Sequence, residues 1–192
     1  MFKDLHQEGL ELMKAQRYSE ALSIFWKATE KGPSFWINWK NVGTCYLHMN
    51  ELDEALTYFK KALTLKPDEP AVLVDIGIVL QLKGNFTKAI DSFRRAIEIN
   101  PDYELAYNSL ALTQKMQGRL DLSLHNYDAG AKALSRNIVK KLQNDRSSKI
   151  IKHKDIKHEL WLEYAFFGAM YLCSINQEIN SDIIKKAKEA IT

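Results

Sequence analysis

Apolar and small residues return along this chain every 34 positions. Phe25, Phe59, Phe93 and Tyr127 form one series. Ala21, Ala55, Ala89 and Ser123 form a second, and Ala28, Ala62, Ala96 and Gly130 a third. Gly9, Gly43, Gly77 and Ala111 form a fourth, and three of the four prolines, Pro33, Pro67 and Pro101, keep the same interval. Independent series on one period mark an internal repeat. The polar positions follow the period too. Gln16, Asn50, Gly84 and Gly118 share one phase, and asparagine and glycine tolerate the left-handed conformation in which a helix often ends. Three residues further on stand Ser19, Asp53, Thr87 and Asp121, expected as N-caps of a following helix. The proline near the end of each period is expected to stop that second helix.

The repeat resembles the tetratricopeptide repeat (TPR), a helix–turn–helix unit of this length. Residues 36–69 match its pattern at Trp39, Val42, Gly43, Tyr46, Ala55, Phe59, Ala62 and Pro67. Residues 70–103 match at Leu73, Ile76, Gly77, Leu80, Ala89, Phe93, Ala96 and Pro101. Residues 2–35 match at Leu5, Gly9, Leu12, Ala21, Phe25, Ala28 and Pro33, with Glu8 at a position that is usually apolar. Residues 104–137 keep Tyr107, Leu110 and Ala111, then drift, with Gln114 for an aromatic, Gly130 for alanine and Ser135 for proline. The small residue on the first helix (A) allows a close approach, and the aromatic on the second (B) fills the remaining space. One unit cannot bury its apolar face alone, so neighbours must stack. The resemblance implies an all-α fold, an α-solenoid wound as a right-handed superhelix, with the A helices lining its concave face.

Composition bounds what this stack can do. The chain has 192 residues, 46% hydrophobic and 27% charged, as expected of a soluble globular protein. Its net charge of +3 does not by itself imply a polyanionic partner. Two cysteines, Cys45 and Cys173, cannot form a disulfide framework. The charged N-terminal stretch is not expected to be a secretory signal. The most apolar run, residues 160–175, is short for a membrane span and contains Glu163. A cytoplasmic or similarly reducing compartment is the expectation.

Candidate chemistry is sparse. Cys45 and His48 lie one helical turn apart, a spacing two metal ligands could use, but no further Cys or His shares their helix and metal sites normally need three or four ligands. Cys45 is expected to pack and His48 to line the groove. The sequence lacks a Gly-rich phosphate loop, a nucleophile elbow and a zinc-protease motif. No enzyme activity, cofactor, metal or small-molecule substrate is expected.

In the TPR family the concave face comes mainly from positions 2, 5, 9, 12 and 13 of each unit. The resemblance therefore implies a peptide-binding groove, and we take as its candidates Lys14, Lys40, Thr44, His48, Val74, Ile78, Leu82, Asn108, Leu112 and Met116. The groove is expected to be basic at its N-terminal end, through Lys3, Lys14 and Lys40, and apolar through the third and fourth units. The chaperone-binding carboxylate clamp of this family is matched at Asn41 alone; His6 and Leu10 before it, and Ala71 and Asp75 after it, depart from the pattern. The expected function is a non-catalytic scaffold that holds a peptide or helical segment of a partner protein, with Lys14 and Lys40 meeting acidic residues of the ligand. The alternative is a self-associating structural protein that uses the groove or the C-terminal aromatics as an oligomer interface.

Residues 138–160 break the period. Seven Lys/Arg against three Asp/Glu give this stretch +4. It reads either as a helical extension and linker or as a basic contact surface. It carries no interleaved aromatics and no recognised nucleic-acid motif, which argues against a nucleic-acid partner. Residues 161–192 place Tyr164, Phe167, Gly168, Tyr171, Ile184 and Ala187 at repeat offsets. They read as a degenerate fifth hairpin or as capping helices.

Overall fold

A computed structural model of the chain describes the backbone from residue 2 to 144 and side chains from 5 to 137. Eight helices make up the described residues, with no strand among them: α1 (Phe2–Lys14), α2 (Tyr18–Lys31), α3 (Trp36–His48), α4 (Leu52–Leu65), α5 (Pro70–Leu82), α6 (Phe86–Ile99), α7 (Glu104–Met116) and α8 (Leu120–Asn144). The chain divides into two compact units, Met1–Gly130 and Ala131–Thr192. The division falls inside α8, which continues without interruption past residue 137. The expected fifth hairpin or cap lies outside the described residues, as does the basic stretch from residue 145 onwards. None of the eight helices is long and apolar enough to cross a membrane.

Each turn between paired helices is closed in the same way. Gln16 and Asn50 have φ of 59° and 63°, and Gly84 and Gly118 both 75°, so all four expected positions are left-handed. The next amide reaches back five residues: Arg17 N donates to Leu12 O, Glu51 N to Tyr46 O, Asn85 N to Leu80 O and Arg119 N to Gln114 O, at 2.8–2.9 Å. A shorter bond from each left-handed residue completes a Schellman closure, as in Gln16 N to Met13 O at 2.9 Å.

This closure corrects the expected caps. The carbonyls of Arg17, Glu51, Asn85 and Arg119 already accept the first bond of the following helix. The cap therefore falls two residues before Ser19, Asp53, Thr87 and Asp121, which lie inside the first turn. Of the caps at 17, 51 and 85, only Asn85 uses its side chain, accepting from Lys88 N at 3.4 Å. Asp53 instead pairs with Lys83 of the next turn at 2.6 Å. The B helices α2, α4 and α6 end at Lys31, Leu65 and Ile99, two residues before their prolines.

The core of Met1–Gly130 repeats with the sequence. Phe25, Phe59 and Phe93 are fully buried. A Cβ placed on Gly9 would lie 2.6 Å from the Phe25 ring, one on Gly43 2.7 Å from the Phe59 ring, and one on Gly77 would also meet the Phe93 ring. The glycines therefore set how closely each helix pair packs. Each B helix also meets the next A helix, and successive A helices touch, α3 with α5 and α5 with α7. Trp26, Trp39, Tyr46 and Tyr58 interlock across α2, α3 and α4, with Trp39 and Tyr58 stacked at 6.1 Å and Lys61 Nζ 3.4 Å above the Trp39 ring. Trp39 also donates its indole N–H to Pro33 O at 2.7 Å, tying α3 to the loop before it.

The first helix differs from the other A helices. Val42 and Cys45 of α3, Ile76 and Val79 of α5, and Leu110 and Thr113 of α7 are all buried. The equivalent residues of α1 are Glu8 and Glu11, both exposed. The side of α1 that corresponds to their buried stripe is therefore charged.

Candidate binding face

The A helices bring their exposed residues to one side because positions three and four apart share a helix face. On α7 this face carries Leu105, Asn108, Leu112 and Met116, all exposed. Leu82 at the end of α5 is 59% exposed, Met116 55%, Leu112 45% and Leu105 43%. Gln81 Nε2 lies 2.9 Å from Met116 Sδ and links the two helices across this face. Ile78 is half-buried against the core shared by α5, α6 and α7.

Val74 departs from expectation. It is fully buried in the cluster with Ala89, Phe93 and Leu110, so it offers no surface to a ligand. Helix α5 is apolar nearly all round, and counting positions could not separate its buried stripe from its open one.

The N-terminal part of the face is polar. Lys14 is exposed. Thr44 is half-buried and donates its hydroxyl to Lys40 O at 3.0 Å. His48 is exposed, and its ring stacks on Tyr18 of α2 at 4.4 Å with 3° between planes. Cys45 is fully buried beside Phe25 and Val42, and burial pushes its thiol up to about 12. Cys45 and His48 therefore do not share a site, and no cluster of three metal-ligating side chains occurs among the described residues.

Lys40 is already engaged. Its Nζ lies 3.3 Å from Asp75 Oδ2 on α5, and both side chains are mostly buried, 24% and 20% exposed. The distance is that of an ion pair, but Oδ2 has no hydrogen bond of good geometry. Burial raises the Asp75 carboxyl above its ordinary value, while Lys40 and, more weakly, His48 pull it down. Burial and then the Asp75 charge raise the nearby Tyr103 phenol. The expectation that Lys40 awaits an acidic ligand residue is thus corrected. The sequence places Asp75 at position 6 of the unit that follows Lys40 at position 5, but no repeated series links the two.

Comparison with known proteins agrees with this architecture. A family model described as "Tetratricopeptide repeat" matches residues 38–69, and one described as "TPR repeat" matches residues 79–118. No curated protein matches the sequence. Among solved structures, "Crystal structure of MamA" superposes with a TM-score of 0.62 at 18% identity, covering 71% of this chain and 80% of that one. "Crystal structure of MamA protein" gives 0.60 at 18% identity, with 79% of each chain covered. "MamA 41-end from Desulfovibrio magneticus RS-1" gives 0.61 at 14%, covering 76% and 78%. At such identities the likeness is one of fold. Period, paired helices and matched models together show that residues 38–69 and 79–118 are tetratricopeptide repeats, set in an all-helical stack of paired helices.

Proposed function

We propose that this chain is a non-catalytic scaffold that holds a peptide or helical segment of a partner protein against the A-helix face, with its anchors on α5 and α7. One observation carries the reading: Leu82 on α5 and Leu105, Leu112 and Met116 on the adjacent α7 each expose more than two-fifths of their surface, while Leu73, Val74, Ile76 and Leu110 of the same helices are buried. Contiguous exposed apolar residues on a soluble fold mark contact surfaces. Helix-in-groove and extended-peptide recognition both use such anchors.

The experiment is capture of a partner from the source lysate by wild type and by a Leu82→Glu/Leu112→Glu variant, after circular dichroism has matched their helicity. Both residues are exposed, so the substitutions leave the core intact. A protein retained by wild type and depleted at least tenfold by the variant is the expected result. Equal retention overturns the assignment of the face. A chain that retains only its own copies, with a mass rising with concentration in light scattering, points to self-association instead.

A further inference from the structure

Resting on that reading, we propose that the segment bound by this face is a helix with an uncharged, apolar stripe, and that Asp75 sets this preference by closing off Lys40. The α5 helix, PAVLVDIGIVLQL, carries one charged residue, Asp75. That residue is spent on Lys40 of α3 at 3.3 Å. Where the second and third units meet, the face therefore presents a neutral pair.

The pair rejects charged ligands of either sign. A ligand carboxylate drawn to Lys40 would have to displace Asp75 or share the ammonium with it. Displacement leaves a mostly buried carboxylate without a counter-ion, which costs far more than an exposed pair gains. Sharing places two carboxylates side by side. A ligand ammonium approaching Asp75 meets the same obstacle with the signs reversed.

Beside this pair, the exposed apolar residues of α5 and α7 remain available for contact. Leu105 and Met116, with Leu112 between them, lie eleven helical steps apart on α7, roughly 16 Å at the helical rise. Leu82 extends the patch onto α5, and Asn108 adds an uncharged polar group within it. A stripe of three or four apolar side chains on a ligand helix has the matching length. Such binding depends little on ionic strength, because it releases no counter-ions and relies on buried apolar area.

The test uses the full chain and two fluorescein-labelled 16-residue helical probes. One carries leucines at i, i+4, i+7 and i+11 in an alanine–glutamine background. The other replaces two of those leucines with aspartates. Anisotropy titrations at low and high NaCl are expected to show the leucine probe bound with less than a threefold change in Kd between salts. The aspartate probe should bind at least tenfold more weakly. Asp75→Asn, which frees Lys40, should tighten the aspartate probe at least fivefold and make it salt-sensitive. The Lys40→Gln/Asp75→Asn variant removes both charges; it should keep the leucine probe, gain nothing for the aspartate probe, and control for disruption by Asp75→Asn alone.

Wild type binding the aspartate probe as tightly as the leucine probe overturns the proposal, as does failure of the leucine probe to bind. A partner captured through Leu82 and Leu112 whose bound segment is acidic and released by salt would sink the ligand class while leaving the scaffold reading standing.

Discussion

At the residue scale, glycine and phenylalanine act as a pair. Gly43 is needed because a Cβ there would sit 2.7 Å from the Phe59 ring, and that ring, fully buried, has nowhere to go. Gly43→Ala should lower the unfolding free energy by about 1–3 kcal/mol, the usual range for forcing an extra carbon into a packed core. Urea unfolding followed by circular dichroism measures it. A Gly43→Ala/Phe59→Leu double variant should cost less than the two single changes combined, because the smaller side chain makes room for the methyl group. The 34-residue series pointed to this pairing directly, since the same two residue types recur sixteen positions apart in three units. The Lys40–Asp75 pair was harder to find, because it joins two units and follows no periodic series.

At the element scale, the turns decide where helices stop. Gln16 and Asn50 hold the left-handed conformation that Gly84 and Gly118 hold without a side-chain penalty. Gln16→Gly should therefore stabilise the first hairpin by a few tenths to about 1 kcal/mol, since relief of backbone strain exceeds the added flexibility of the unfolded chain. A thermal melt showing no gain, or a loss, would mean that the Gln16 side chain contributes more than its strain costs. The helix ends were legible because left-handed positions favour few residue types. The helix starts were read two residues late. Serine, threonine and aspartate suit both the cap and the first turn, where an acid also favours the positive end of the helix dipole. The Schellman bond, a backbone contact local to the turn, leaves residues 17, 51, 85 and 119 as the caps and so puts Ser19, Asp53, Thr87 and Asp121 in the first turn.

At the scale of the molecule, α1 carries charge where the other A helices are apolar. Glu8 and Glu11 stand on α1 where α3, α5 and α7 bury their corresponding residues against a preceding B helix. We expect Glu8→Val/Glu11→Val to create a sticky end. Light scattering of that variant should show mass increasing with concentration, and wild type should set the baseline. Leu120 and Leu124 of α8 are also exposed, whereas their equivalents Leu52, Leu56, Phe86 and Ile90 are half-buried or buried. Leu56 and Ile90 sit in clusters that include the following A helix, and this contact accounts for their burial.

The sequence alone determined the repeat, the helix pairs, the left-handed turns and the glycine–aromatic contacts. All of these arise within one unit or between identical neighbours, so they recur with the period and reinforce one another. Only the tertiary structure decided which residues of the A-helix face remain open. Val74 and Ile78 lie four apart on the same side of α5, yet one is sealed and the other half-covered, because burial depends on how closely α6 and α7 approach. Only the structure also showed that Lys40 is neutralised. Its partner is on another unit, 35 residues away, and an ion pair forms where two side chains converge in space, a distance that no periodicity in one chain encodes.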